Sequence, residues 1–289
     1  MNGHAAIEVE GLRKRYGERE AVRGISFTVR RGEVFGLLGP NGAGKTTTVE
    51  ILEGYRERSD GRVSVLGMDP GTRPAALRRR VGIVLQSSGL YRHLTVREAV
   101  EHWAGLYPAP RDVDETIALT GLEEAAGVRT RALSGGQQRR LDFALALIGD
   151  PELVFLDEPT TGFDPAARRQ AWDAVRSLQE LGKTVLLTTH YLDEAQALAD
   201  RVAIVKDGAI LAEGAPGDLG AGAQRFRVTW RGEDGEAHVR ETADPTALLH
   251  EITGAALARG ERLHDLGVSR PSLEEVYLEL TAGDATAAA

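Results

Sequence analysis

The chain has 289 residues, a formal net charge of −8 and hydrophobic residues at 42% of positions, but no cysteine. That apolar content supports one large packed domain, or one large and one small. The acidic balance argues against nucleic acid as the main ligand, and disulfides and cysteine-bound metals are excluded. The longest apolar run near the middle, residues 143–149, is closed by Asp142 and Asp150, well short of the roughly 18 residues of a membrane span. The start, Met1-Asn2-Gly3-His4, shows no secretory pattern. The expectation is a cytoplasmic chain whose membrane role, if any, runs through a partner.

Ile7, Val9 and Leu12, then Ile25, Phe27 and Val29, alternate with polar residues and predict a half-exposed antiparallel sheet. Tyr16 stands at the end of the first strand, before Gly17. It is placed either to stack on a nucleobase or to sit as a surface tyrosine beside a turn. Val34 to Leu38 is a short apolar run that predicts a buried strand. Next comes Gly39-Pro40-Asn41-Gly42-Ala43-Gly44-Lys45-Thr46-Thr47, which fits the phosphate-binding pattern G-x-x-x-x-G-K-[ST]. A helix through Val49, Ile51 and Leu52 follows. Glycines let the backbone turn so that N–H groups converge on phosphate oxygens, and the helix N-terminus adds partial positive charge. Lys45 is the candidate for the β- and γ-phosphates and Thr46 for one position on Mg²⁺.

Arg62 to Val65 predicts a further strand, and Val81 to Leu85 a buried one ending at Gln86. Gln86 supplies an oxygen for Mg²⁺ or for an attacking water, or is a plain loop residue. Thr95 and Glu98 form a capping box for a helix through Val100, Trp103 and Leu106, closed by Pro108 and Pro110. Asp112 to Ala126 reads as helix broken at Gly121. Residues from about 87 to 149 therefore form a helical subdomain. Within it, Leu133-Ser134-Gly135-Gly136-Gln137 opens another helix. Ser134 and Gln137 fit a second capping box, yet the glycine pair weakens a helix start and suits close approach to an anion.

Leu153 to Leu156 is a buried strand ending in Asp157-Glu158. Adjacent carboxylates repel unless a cation or substrate lies between them. With a phosphate loop in the chain, Asp157 is the candidate for Mg²⁺ and Glu158 for the base that deprotonates water. Asp164-Pro165 caps a helix that Gly182 ends. Thr184 to Thr188 is a buried strand followed by Thr189-His190, on the edge where the other candidates lie. Val202 to Val205 and Ile210-Leu211 predict a hairpin across Asp207-Gly208. Gly and Ala around residues 216–222 mark a linker. Beyond it, strands at Phe226–Trp230, Ala237–Val239 and Leu263–Val268 and helices at Ala247–Ala258 and Leu273–Leu280 predict a small α+β domain. Residues 282–289 read as a disordered tail.

This ordered set resembles the ATP-binding subunit of ABC transporters over about residues 5 to 220. The resemblance implies an α/β P-loop NTPase fold with antiparallel β and helical subdomains, spanning 1–220, before a C-terminal α+β domain at 221–281. It implies ATP and Mg²⁺ as ligands, with Thr46, Gln86 and Asp157 toward the metal and Tyr16 on the adenine. Glu158, His190, Lys45 and Gln86 become the catalytic set, His190 as the switch histidine. Ser134, Gly135, Gly136 and Gln137 would contact ATP held by a second ATP-binding subunit, in a homodimer or heterodimer. Residues 161–164, Thr-Gly-Phe-Asp, match the D-loop, with Phe163 where Leu is usual, and bring Asp164 near the nucleotide. Residues 88–98 and the ending Pro271 to Thr281 look like the ABC-2, daunorubicin-resistance-like exporter type. That implies an integral membrane permease as partner, no nucleic acid, and a peripheral position on the inner face of the cell membrane. The contact would lie between Gln86 and Glu98, through Leu90, Tyr91 and Leu94 in an exposed loop; the alternative is that these residues pack inward beneath the helix starting at Thr95. A soluble ATPase of ribosomes or DNA fits poorly with one phosphate loop and a short helical insert; an import cassette is the other alternative.

Overall fold

A computed structural model describes residues 5–84, 92–219, 226–233, 235–270 and 272–282. Two compact units result, Met1–Glu213 and Gly214–Ala289. The first opens with long strands β1 (Ala5–Tyr16) and β2 (Arg19–Arg30), antiparallel, with Val9 opposite Phe27 and Leu12 opposite Ile25. Ile7, Val9, Leu12, Ile25, Phe27 and Val29 are buried while their neighbours reach solvent, as a sheet covered on one face requires. Then follow β3 (Val34–Leu38), α1 (Lys45–Leu52) and β4 (Asp60–Val65), the last pairing with the free side of β1.

The chain continues through α2 (Ala75–Arg78), β5 (Val81–Val84), α3 (Val96–Ala104), α4 (Val113–Leu119) and α5 (Gly135–Leu147). It returns to the sheet as β6 (Leu153–Asp157), α6 (Pro165–Glu180), β7 (Thr184–Thr189), α7 (Leu192–Leu198), β8 (Arg201–Lys206) and β9 (Ala209–Gly214). Among the described residues the central sheet runs β5-β6-β7-β3-β8-β9. From β5 to β8 the pairs are parallel. Every residue of β3 and β7 is buried, because a parallel sheet is covered on both faces.

One face packs Phe35, Leu37, Phe155 and Leu186 against Val49, Ile51 and Leu52 of α1 and the antiparallel sheet. The rings of Phe27 and Phe35 stack 5.4 Å apart in that layer. The other face packs Val154, Leu156, Val185 and Leu187 against Phe143 and Leu147 of α5, Val175 and Leu178 of α6, and Leu198 of α7. Helix α5 also turns Leu141, Leu145 and Ile148 toward Val96, Val100, Ile117 and Leu122 of the helical subdomain. It is apolar on two sides because it serves two cores.

Both expected capping boxes form, Thr95 with Glu98 and Ser134 with Gln137. The helix expected across residues 112–126 breaks at Gly121 as expected: α4 stops at Leu119, Gly121 turns the chain at φ +63°, and beyond it only a short 3-10 turn covers Glu123–Ala125. Helix α7 was not anticipated. It has two turns, and Ala195, Ala197 and Leu198 on its apolar side are too few for a visible period. Leu94 packs inward on the helical core, against the expectation of an exposed contact residue; Leu90 and Tyr91 lie outside the described residues.

The second unit contains β10 (Phe226–Arg231), β11 (Ala237–Thr242), α8 (Pro245–Arg259), β12 (His264–Ser269) and α9 (Leu273–Ala282). Its antiparallel strands run β11-β10-β12, and Val228 packs on Leu248 and Ile252 of α8. Two glycines make the packing testable. A Cβ on Gly82 in β5 would collide with the Ala146 carbonyl oxygen, whereas one on Gly254, mid-α8, meets nothing within 4 Å. Gly82→Ala should lower the unfolding free energy by about 1–3 kcal/mol, and Gly254→Ala should raise it by about 0.5–1 kcal/mol. Denaturant titration measures both; the opposite order would refute this packing.

Candidate active site

The loop Gly39 to Gly44 leaves the carboxyl end of β3, which lies between β7 and β8. Ligands in open α/β sheets bind outside that edge. Gly39 donates its N–H to Thr189 O at 3.2 Å, and a Cβ there would collide with the Val205 carbonyl oxygen. Gly44 sits at φ +102°, a conformation open only to glycine, and directs the chain into α1. No side chain caps α1, so its first N–H groups face the loop.

Lys45 is 4% exposed. Its ammonium donates to Gly39 O at 2.7 Å and Pro40 O at 3.1 Å, and lies 3.5 Å from Glu158 Oε1. Burial pushes the Lys45 pKa down, while Glu158 and Asp157 pull it back up. A desolvated cation with only carbonyls and one carboxylate for partners is ready to exchange them for phosphate oxygens.

The two acids at the end of β6 avoid one another by a turn of the backbone. Asp157 Oδ1 accepts from the Thr188 hydroxyl at 2.5 Å and from the Thr46 hydroxyl at 3.4 Å. Glu158 adopts φ +46° and points elsewhere. Its N–H donates to the hydroxyl and carbonyl oxygens of Thr188 at 3.0 and 3.2 Å, and its Oε2 accepts from the Thr161 hydroxyl at 3.1 Å. Glu158 Oε1 faces Lys45 on one side and His190 Nδ1, at 3.4 Å, on the other. The His190 ring packs 4.1 Å from that of Tyr191.

Tyr16, Asn41, Gly42, Gly44, Lys45, Thr46, Thr47 and Glu158 line a cavity of about 450 Å³. Ala43 is buried behind it, its carbonyl accepting from Gly208 N–H. Tyr16 is 41% exposed, with Lys14 Nζ 5.1 Å and the Arg56 guanidinium 5.3 Å from its ring centre. Arg19 and Arg56 line the same cavity. Sequence reading passed over Arg19, Arg56 and Thr188. Arginines are common on any surface, and Thr188 reads as one more buried strand residue.

The remaining expected residues lie apart. Ser134, Gly135, Gly136 and Gln137 line none of this cavity, and Ser134 and Gly135 are exposed at the start of α5. Asp164 Oδ1 is engaged in capping α6, accepting from Ala166 and Ala167 N–H at 2.8 and 2.9 Å. Gln86 lies outside the described residues. A second cavity, about 580 Å³, opens between β5 and the helical subdomain and is lined by Tyr55, Leu77, Ile83, Trp103, Tyr107 and Leu145. Glu53 on its wall is pushed up to about 8 by burial, with the charges of Asp157 and Glu50 adding to the effect.

An edge of this kind is built to grip a triphosphate and to act on its terminal phosphate, which places the chain among the P-loop ATPases. Comparison with known proteins narrows the class. Residues 22–161 match the ABC transporter family. A daunorubicin resistance ATP-binding protein of Streptomyces coeruleorubidus is 39% identical over 305 residues, covering 96% of each chain. A Nod factor export ATP-binding protein I of Rhizobium sp. (strain N33) is 39% identical over 300 residues, covering 96% of this chain and 97% of that one. Among solved structures, a dimeric ATP-binding cassette in a post-hydrolysis state bound to ADP and Pi superposes with a TM-score of 0.64 at 26% identity, over 72% of this chain and 98% of its own. The chain belongs to the ABC transporter family.

Thr188 is the residue to test here, since its hydroxyl serves both acids at once. Thr188→Val keeps the shape of the side chain and removes both bonds. ATP hydrolysis should slow by about 10- to 100-fold, with ATP still bound. Turnover at the wild-type rate would show that the hydroxyl does not position these acids.

Proposed function

We propose that this chain powers export through a separate integral membrane permease of ABC-2 type, with a drug, antibiotic, lipid, polysaccharide or ion as cargo. The observation that carries the chemistry is Glu158 Oε1 held between Lys45 and His190 at the mouth of the phosphate loop. ATP enters with its base against Tyr16 and its phosphates along Gly39 to Thr47. The Lys45 ammonium leaves the Gly39 and Pro40 carbonyls for the β- and γ-phosphate oxygens. Glu158 takes a proton from the water that attacks the γ-phosphorus, the bond from that phosphorus to the β–γ bridging oxygen breaks and ADP leaves, and His190 faces the same phosphate. Gln86 is assigned to the water or the metal by resemblance alone.

The donors fit Mg²⁺. Thr46 and Asp157 offer hard oxygens side by side, and among the described residues no cluster of three or more His, Cys, Asp or Glu forms a complete protein cage. Mg²⁺ is held by one or two protein oxygens together with substrate phosphates and water, and when bound it offsets phosphate charge.

The exposed start of α5 calls for a second cassette, identical or related to this one. Ser134, Gly135, Gly136 and Gln137 then close over ATP held by the partner, with Asp164 nearby. Names of relatives support export, and none of the described helices is long and apolar enough to cross a membrane. The permease would seat an apolar helical segment in the cleft lined by Leu77, Trp103 and Tyr107, placing the ATPase peripherally on the inner face of the membrane. The ATPase domain is assigned to residues 1–220, with its helical part at about 87–149, and the C-terminal α+β domain to 221–281.

Two experiments test this reading. Glu158→Gln should bind MgATP, hydrolyse it roughly 10²–10⁴-fold more slowly and accumulate as an ATP-dependent dimer on size exclusion. Adding Gly136→Asp, a like charge facing the partner's γ-phosphate, should abolish that dimer. Normal turnover in Glu158→Gln would sink the catalytic role, and a persisting dimer would sink the composite site. In the cleft, Tyr55 is 65% exposed, so Tyr55→Asp should fold and retain basal ATPase activity. It should lose co-purification with the permease; intact co-purification and transport would reject the cleft as the docking surface.

A further inference from the structure

Behind the catalytic edge lies an acidic side chain that the chemistry above does not use. Glu194, in the first turn of α7, is fully buried. A carboxyl group out of water needs hydrogen-bond donors. Its Oε1 accepts from the Thr160 hydroxyl at 2.8 Å and from the Trp172 indole N–H at 3.3 Å, while its Oε2 has no hydrogen-bond partner. Burial pushes this carboxyl up, while the nearby Thr189, Thr160 and Trp172 donors and then the charge of Arg168 pull it down.

Its two donors come from separate segments. Thr160 belongs to the turn that carries Glu158 and Trp172 lies on α6, while Glu194 itself follows the His190 loop in the first turn of α7. The Glu158 turn is also gripped from its other side, where Arg139 of α5 donates its Nε–H to Pro159 O at 3.1 Å. The His190 loop has a second clamp. The Arg168 guanidinium lies 4.5 Å over the Tyr191 ring, next to His190, and its Nη1 pairs with Asp193 Oδ2 at 3.0 Å. Glu194 joins these two clamped pieces. A buried leucine would fill the same space but would join nothing, and it would leave the Thr160 hydroxyl and the Trp172 N–H unpaired.

We propose that Glu194 is a positioning residue for ATP hydrolysis, tying the Glu158 turn to the His190 loop so that base and histidine hold one geometry. The proposal rests on the roles assigned above to Glu158 and His190. Glu194→Ala removes the acceptor, Glu194→Gln keeps an acceptor oxygen in nearly the same place, and Thr160→Val removes one donor. Glu194→Ala should lower kcat by about 10- to 100-fold, because small misplacements of reacting groups cost that much. KM for ATP should change by less than about twofold, since the phosphate loop is untouched. Glu194→Gln should recover most of the rate. Thr160→Val should also slow turnover, and the Thr160→Val/Glu194→Ala double variant should be no slower than its slower parent, because both remove the same link.

A normal kcat in Glu194→Ala, a Gln variant as slow as the Ala variant, or losses that multiply in the double variant would each overturn the proposal. Should Glu194→Ala fail to fold, Thr160→Val decides, and a normal kcat there overturns it. Glu158→Gln is assayed in parallel. If Glu158→Gln is inactive while Glu194→Ala is normal, the link alone is wrong; if Glu158→Gln is fully active, the assignment of the site itself fails.

Discussion

The structure depends on a buried cation at a sheet edge. Lys45 is nearly inaccessible, and its ammonium is held by loop carbonyls and Glu158. Taking an ammonium out of water is costly unless it is paired and hydrogen-bonded. Around it the fold supplies what such a group needs: the Gly39 and Pro40 carbonyls at close range and the carboxylates at the end of β6. The parallel order β6-β7-β3 makes this possible, because it puts Asp157, Thr189 and Gly39 on one edge without any long-range loop.

Much of this was legible in the sequence because the phosphate loop and the strand that feeds it are contiguous. Gly39 to Thr47, the apolar runs of β3, β6 and β7, and both capping boxes carry their meaning in local spacing. What escaped notice depends on register. Thr188 matters because β7 lies beside β6 with Thr188 opposite Asp157, and no local pattern reveals which strands are neighbours. Arg19 and Arg56 reach the Tyr16 cavity from β2 and from the segment after α1, far apart in the chain. Helix α7 escaped for a different reason: two turns with a few small apolar contacts leave no periodic signal.

The same limit explains the split between the two groups of expected residues. A loop, a strand end and a histidine on adjacent parallel strands are forced together by hydrogen-bonded register. The glycines at the start of α5 are held by a different core, that of the helical subdomain, and no register ties them to the phosphate loop. Such an arrangement leaves the signature residues free of the site in one chain and presentable to another.

Helix α5 is the physical connection between those two facts. Leu141, Leu145 and Ile148 anchor it in the helical core, while Phe143 and Leu147 anchor it on the central sheet. Its first turn is exposed, and one turn further on Arg139 reaches the Pro159 carbonyl beside Glu158. Close-packed interiors transmit small shifts instead of absorbing them. One helix and one buried hydrogen bond therefore connect the start of α5 to the Glu158 turn. Glu194 holds the same turn through the Thr160 hydroxyl. The start of α5 and the Glu158 turn are thus joined by a short run of contacts, even though they line no common cavity within one chain.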